Sequence, residues 1–154
     1  MTSQPPSTTT WEEAVQWLRK QPEQAALVQA CFYDDPLIRA AERYYHSCEW
    51  RELKHYLPSK PGSVCDIGAG RGISSYAFAR EGWQVASLEP DNSSIVGAGA
   101  IRELTNDTML PIQVYRAKGE AIPFEDETFD VVYARQVLHH ACDIDQLCNE
   151  MARV

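Results

Sequence analysis

The stretch Val64-Cys65-Asp66-Ile67-Gly68-Ala69-Gly70-Arg71-Gly72 constrains this chain more than any other. A short apolar run from Ser63 to Ile67 enters three alternating glycines, and a helical pattern from Gly72 to Arg80 follows directly. An apolar run of this length bounded by turn residues predicts a buried strand. Glycines permit positive φ and let the backbone approach a ligand closely. A helix starting behind such a turn offers unpaired N–H groups and the positive end of its dipole. Strand, turn and helix together predict a site for an anionic or polar nucleotide-like group at the carboxyl end of the strand. A GxGxG pattern alone is equally compatible with a purely structural turn, so its surroundings decide.

Gln84 to Leu88 reads as a second strand, and Glu89 stands at its carboxyl end. A carboxylate there can accept hydrogen bonds from two ribose hydroxyls. Dinucleotide sites favour GxGxxG/A. Here Ile73 occupies the third position after Gly70, and Asp66 lies just inside the first strand. Both features depart from the pattern of a nicotinamide-dependent oxidoreductase.

The remaining pattern divides the chain at Pro58-Ser59-Lys60-Pro61-Gly62. Before it, residues 1–9 are polar and Pro/Thr-rich, the composition of a disordered tail. Residues 10–57 are helical. Thr10-Trp11-Glu12-Glu13 reads as a capping box, Pro22 opens a second helix, and Asp34-Asp35-Pro36 reads as the cap of a third that runs to about Leu57. After it, residues 58–154 alternate. The two strands already named are followed by a helix from Asn92 to about Thr105. Then come strands at Ile112–Arg116 and Asp130–Ala134, and a helix from Ile144 to about Arg153. Such alternation implies βαβ units and a parallel sheet covered on both faces.

Composition narrows the function. With 22 acidic and 14 basic residues the formal net charge is −8, and no Lys/Arg cluster offsets it, so nucleic acid is disfavoured as a partner. No apolar stretch approaches the roughly 20 residues a membrane span needs. The N-terminus lacks the basic start and apolar core of a signal peptide, so no membrane association and a cytoplasmic location are expected. A homo-oligomer is compatible with these features. Five cysteines with no CxxC read as reduced, mostly buried thiols. His139, His140 and Cys142 fit no common zinc spacing, and no metal is expected.

VCDIGAGRG resembles motif I of the class I S-adenosylmethionine-dependent methyltransferases. Leu88-Glu89-Pro90-Asp91 resembles their acidic second-strand motif. Gly119 to Phe124, Phe129 to Val132 and Val137 to His140 resemble later motifs of the small-molecule subgroup, which includes quinone-biosynthesis enzymes. The resemblance implies an α/β fold, a Rossmann-like doubly wound parallel sheet truncated to its first four strands in the order 3-2-1-4, with an N-terminal helical cap. It implies S-adenosyl-L-methionine as cofactor and a small-molecule methyl acceptor as partner. Asp66 would hold the methionine amino group. Gly68, Ala69 and Gly70 would bring the backbone to the cofactor. Glu89 would take the ribose hydroxyls, and Pro90 would pack against adenine. An amide of Gly119 or Glu120 would read the adenine edge, while Arg135 and Gln136 would lie near the methionine end.

Lys118 stands where the subgroup often has an Asp, and a donor-only ammonium cannot accept from the adenine amino group. Glu120 is the candidate substitute. His140 is a candidate general base, with a turn-capping role as the alternative. Phe32, Tyr33, Tyr44, Tyr45 and Trp50 are candidates to line an acceptor pocket under the N-terminal helices. The family fold continues past a segment like Cys148–Val154 into three more strands. This implies a fragment of a longer protein whose fourth strand is an apolar edge. A non-catalytic cofactor-binding or scaffold protein is the competing reading.

Overall fold

The computed structural model describes residues 9–154. Residues 1–8, most of the expected tail, lie outside the described residues. Four helices come first: α1 (Trp11–Arg19), α2 (Ala25–Ala30), α3 (Leu37–Tyr45) and α4 (Cys48–Leu53). Then follow β1 (Ser63–Ile67), α5 (Ile73–Arg80), β2 (Gln84–Leu88), α6 (Ala98–Thr108), β3 (Ile112–Tyr115), β4 (Val131–Ala134) and α7 (Ile144–Arg153). Short 3₁₀ turns sit at Pro22–Gln24, Lys54–Tyr56 and Leu138–His140.

The strands form one parallel sheet in the order β3-β2-β1-β4. The chain winds outward from β1 through β2 to β3, then returns to place β4 on the other side of β1. The winding therefore reverses between β1 and β4, and a crevice opens at the carboxyl ends of the strands there. The pairing is level: Asp66 lies opposite Ser87 on one side and Tyr133 on the other.

Side chains alternate across β1, as a strand requires. Val64 joins a core with Tyr44, Trp50, Phe78, Trp83, Ile101 and Leu104. Cys65 and Ile67 join a second core with Leu88, Ile122, Leu147 and Val154 on the opposite face. Helices thus cover both faces, and β1 is buried between them. β4 stands at the sheet edge with its four residues half-buried.

The N-terminal helices show where local signals prevail and where packing does. Thr10 makes the capping box with Glu13, each bonding the other's backbone N–H. Asp34 and Asp35 do not cap α3, whose N-cap is Pro36 without a side-chain bond. Both carboxylates are taken by arginines instead. The helical run to Leu57 is broken at His46–Ser47, where the Ser47 hydroxyl accepts from Trp50 N and starts α4.

α6 begins at Ala98 rather than Asn92. The Asp91 and Ser93 side chains accept from the N–H groups of Ser93, Ile95 and Val96, and such local bonds compete with a helix. Four of the five cysteines are exposed, and Cys65 alone is buried, contrary to the expected pattern. Among the described residues no helix is long and apolar enough to cross a membrane.

Phe78 is fully buried, with ring contacts to Trp50, Trp83 and Tyr133. It joins the cap to the sheet. Phe78→Ala should cost about 3–5 kcal/mol in urea unfolding. Tyr56→Ala, at an 86% exposed position, should stay within about 0.5 kcal/mol of the parent.

Candidate functional site

The turn after β1 is built from three glycines in the left-handed region, Gly68 (φ 60°), Gly70 (φ 55°) and Gly72 (φ 81°). They have different surroundings. A Cβ on Gly68 would come within 2.6 Å of Val137 Cγ2, so that face is already packed by the segment after β4. A Cβ on Gly70 would meet nothing nearer than Val96 O at 3.9 Å. The open side of the turn is therefore at Gly70. Ala69 between them is buried and donates its N–H to Leu88 O at 3.0 Å, which ties the turn to β2.

Glu89, the residue after β2, closes over this turn. Its Oε2 accepts from Gly70 N at 2.8 Å and its Oε1 from Asp91 N at 2.9 Å. Burial pushes the carboxyl above the usual range, against the pull of these two donors. Each oxygen keeps acceptor capacity beyond the backbone bond it makes. Pro90 follows and is exposed.

Asp66 is 1% exposed. Its Oδ2 accepts from Ser74 Oγ at 2.7 Å and Ser75 Oγ at 2.6 Å, and Ser75 in turn pairs with Ser87 at 2.7 Å. Its Oδ1 is buried without a donor. Desolvation raises the carboxyl to about 6, with the two serines opposing. A buried carboxylate oxygen lacking a donor fits a cationic N–H ligand, which would restore both its hydrogen bond and its charge. By that test these residues fit the amino group of an S-adenosylmethionine.

On the β4 side, Arg135 is held by the cap. Its Nε and Nη2 bond the two carboxylate oxygens of Glu49 at 2.6 and 3.0 Å, and its guanidinium lies over the rings of Phe32 and Tyr44. Gln136 is exposed with φ 56°.

Gly119 packs tightly: a Cβ there would fall 2.4 Å from Leu147 Cδ1 and 2.9 Å from Ile67 Cγ2. Glu120 directs its carboxylate to Cys142 N at 2.8 Å, which engages it in the turn before α7, while Lys118 is exposed. His140 is exposed in a 3₁₀ turn, its ring centroid 4.0 Å from that of His139.

Glu89, Asp66 and the glycine turn thus converge, whereas the Glu120 carboxylate is engaged by Cys142 N and His140 lies exposed in its 3₁₀ turn. The aromatic residues expected to line a pocket serve mainly as core. Tyr44 and Trp50 are fully buried, Tyr44 on Trp50 and Trp50 on Phe78, while Tyr33 packs on Trp11 and Tyr45 on His46 and Arg80. Phe32 alone of the set contacts Arg135 while remaining half-buried. Sequence reasoning missed Ser74, Ser75 and Ser87, and with them Arg71. The available signal was a pair of serines in the first turn of the helix behind the glycines, and a lone arginine among them.

A family model described as a methyltransferase domain matches residues 65–154. The chain belongs to the class I S-adenosylmethionine-dependent methyltransferase family. An uncharacterized methyltransferase of Mycobacterium sp. (strain JLS) is 35% identical over 92 residues, which is 60% of this chain and 34% of that protein. A ubiquinone biosynthesis O-methyltransferase of Rhizobium rhizogenes is 29% identical over 121 residues, 75% of this chain and 48% of that protein. The chain therefore spans between a third and a half of these relatives. The crystal structure of a SAM-dependent methyltransferase from Aquifex aeolicus aligns over 95% of this chain and 68% of its own, with a TM-score of 0.67 at 18% identity, a likeness of fold.

The raised Asp66 carboxyl has a consequence for stability. Its folded value, about 6, lies above the usual 3.8. The folded state therefore holds the proton more tightly, and stability falls as pH rises from about 4 to about 6, then levels off. Asp66→Asn removes this loss. Its unfolding free energy relative to the parent should improve across that window by up to about 3 kcal/mol and stay flat above it, in urea titrations at stepped pH.

Proposed function

We propose that this chain carries the cofactor-binding portion of an enzyme that transfers a methyl group from S-adenosyl-L-methionine to a small-molecule acceptor in the cytoplasm. The observation that carries the reading is the Glu89 carboxylate, set over the open Gly70 side of the turn with acceptor capacity remaining on both oxygens.

Glu89 would accept the two ribose hydroxyls. Asp66 Oδ1, buried and lacking a donor, would take the ammonium of the methionine part, directly or through water. The backbone of Gly68, Ala69 and Gly70 would run beside the cofactor. Pro90, exposed next to Glu89, would lie against the adenine, and the amides of Gly119 or Glu120 would meet its edge. With its carboxylate bonded to Cys142 N, Glu120 is a poor replacement for the acidic residue that Lys118 displaces. Arg135 and Gln136 would flank the methionine end, Arg135 while anchored to Glu49.

When bound, the cofactor supplies a methyl already activated on a sulfonium. The work left to the protein is to hold the acceptor in line and keep water out, which is a matter of proximity and orientation. His140 would act as a base only for an acceptor that must lose a proton. Its exposure favours a role in shaping the turn.

A small acceptor is supported by the acidic surface, with a net charge of −8, which repels polyanions. It is supported also by the Rhizobium relative, named for ubiquinone biosynthesis.

Calorimetry with S-adenosylhomocysteine tests the cofactor assignment. The parent chain should bind it and not NADH. Glu89→Ala and Asp66→Ala should each weaken binding by about 10-fold or more, the worth of a hydrogen bond to a charged group. Unchanged affinity in both variants would refute the assignment.

A further inference from the structure

Arg71 lies between Gly70 and Gly72 and has no assigned role in the reading above. Its side chain is 5% exposed and reaches the segment that joins α2 to α3. Nη1 donates to Phe32 O at 2.8 Å and Asp34 O at 2.9 Å, and Nη2 bonds Asp35 Oδ1. The same segment is held from two other directions. Arg19 of α1 donates to Tyr33 O at 2.5 Å and pairs with Asp35 at 2.7 Å. Arg43 of α3 donates to Gln29 O at 2.9 Å and grips both oxygens of Asp34.

Three guanidiniums around two carboxylates repel one another. The arrangement holds because each planar fork is matched to carbonyl and carboxylate acceptors. Of the three, Arg71 alone is rooted in the glycine turn.

Phe32 gives the segment its reach. Its φ is 60°, a strained value for a residue with a side chain. Its carbonyl accepts from Arg71, in the loop after β1. Its ring lies 5.3 Å from the Arg135 guanidinium, in the loop after β4. Phe32 therefore links the two loops that flank the crevice where the sheet winding reverses.

We propose that Arg71 is a positioning residue through which occupancy of the glycine turn fixes the cap segment Gln29–Asp35. The proposal rests on the cofactor reading above. A ligand held by Glu89 over the open side of this turn restrains the Arg71 backbone through the bond from Gly70 N to Glu89 Oε2. The three acceptors of its guanidinium all belong to one segment of the cap, so restraint passes to that segment. Such coupling is reciprocal: loosening the segment weakens the ligand by the same factor.

The test is hydrogen–deuterium exchange on the full chain, following the Phe32 and Tyr33 amides, which donate to Gln29 O and Val28 O. Exchange is compared with and without S-adenosylhomocysteine, and binding is read separately by calorimetry. In the parent chain the ligand should slow exchange of these amides by about 5-fold or more. In Arg71→Ala the ligand should still bind and the slowing should vanish, and Arg71→Lys should restore part of it. Binding by the parent with no slowing in this segment, or slowing that persists in Arg71→Ala, overturns the proposal and leaves the cofactor reading standing. Failure of the parent to bind overturns both. Should circular dichroism find Arg71→Ala unfolded, Asp35→Asn at a 55% exposed side chain replaces it: reduced slowing supports the coupling, and undiminished slowing overturns it.

Discussion

The hydrogen bond from the Gly70 amide to the Glu89 carboxylate, 2.8 Å long, closes the end of β2 onto the turn that follows β1. It exists because the two strands are parallel neighbours that end level, with Ile67 paired to Leu88. The next residue on each strand, Gly68 and Glu89, then starts a loop at the same height. A slip of one residue would turn the alternating side chains of β1 over and move Asp66 to the opposite face. Register and site are thus one constraint. An ionised carboxylate accepting from backbone N–H is among the stronger protein hydrogen bonds, and here it also fixes the open side of the glycine turn.

Around that bond the protein concentrates polar groups that a core would ordinarily reject. Asp66, Ser74, Ser75, Ser87 and Arg71 are all buried. Buried polar groups are stable only when satisfied, and most of these satisfy one another. The exceptions are informative. Asp66 Oδ1 and Arg71 Nε are buried without partners. The first belongs to the residue beneath the glycine turn, and the second to the residue that carries the turn's link to the cap. Both lie in the segment that runs from β1 through the glycine turn, while the other such atom among the described residues, Trp50 Nε1, lies in the cap.

Much of this was legible in the amino-acid order. β1 and β2 were readable to the residue, since a buried strand between Pro/Gly and Gly turns leaves little freedom. The capping box at Thr10 and the start of α7 at Ile144 were equally plain, because local side chain–backbone bonds set both. The parallel sheet followed from the alternation of strands and helices, and its order from the family resemblance. What failed depended on distant partners. Asp34 and Asp35 resemble helix caps, yet long-range arginines claim them. Asn92 looked like a helix start, yet the Asp91 and Ser93 turn bonds delay the helix to Ala98. Tyr44 and Trp50 looked like pocket residues, and the packing of Tyr44 on Trp50 and of Trp50 on Phe78 makes them core. Of the site, Asp66, Glu89 and the glycines carry their own motif. The engagement of Arg135 by Glu49 and of Glu120 by Cys142 N spans segments far apart in sequence, and no local pattern announces it.

Membership of the methyltransferase family and a shared fold with the Aquifex enzyme agree with this geometry, over a chain that spans a third to a half of its curated relatives. The central claim is that Glu89 and the turn at Gly70 hold the ribose of the cofactor. The most direct measurement is a crystal structure of the chain soaked with S-adenosylhomocysteine. The ribose hydroxyls should lie about 2.6–3.0 Å from the two Glu89 oxygens, with the amino group of the homocysteine part directed to Asp66. A nucleoside bound elsewhere, or a Glu89 carboxylate turned away from the ribose, would contradict it.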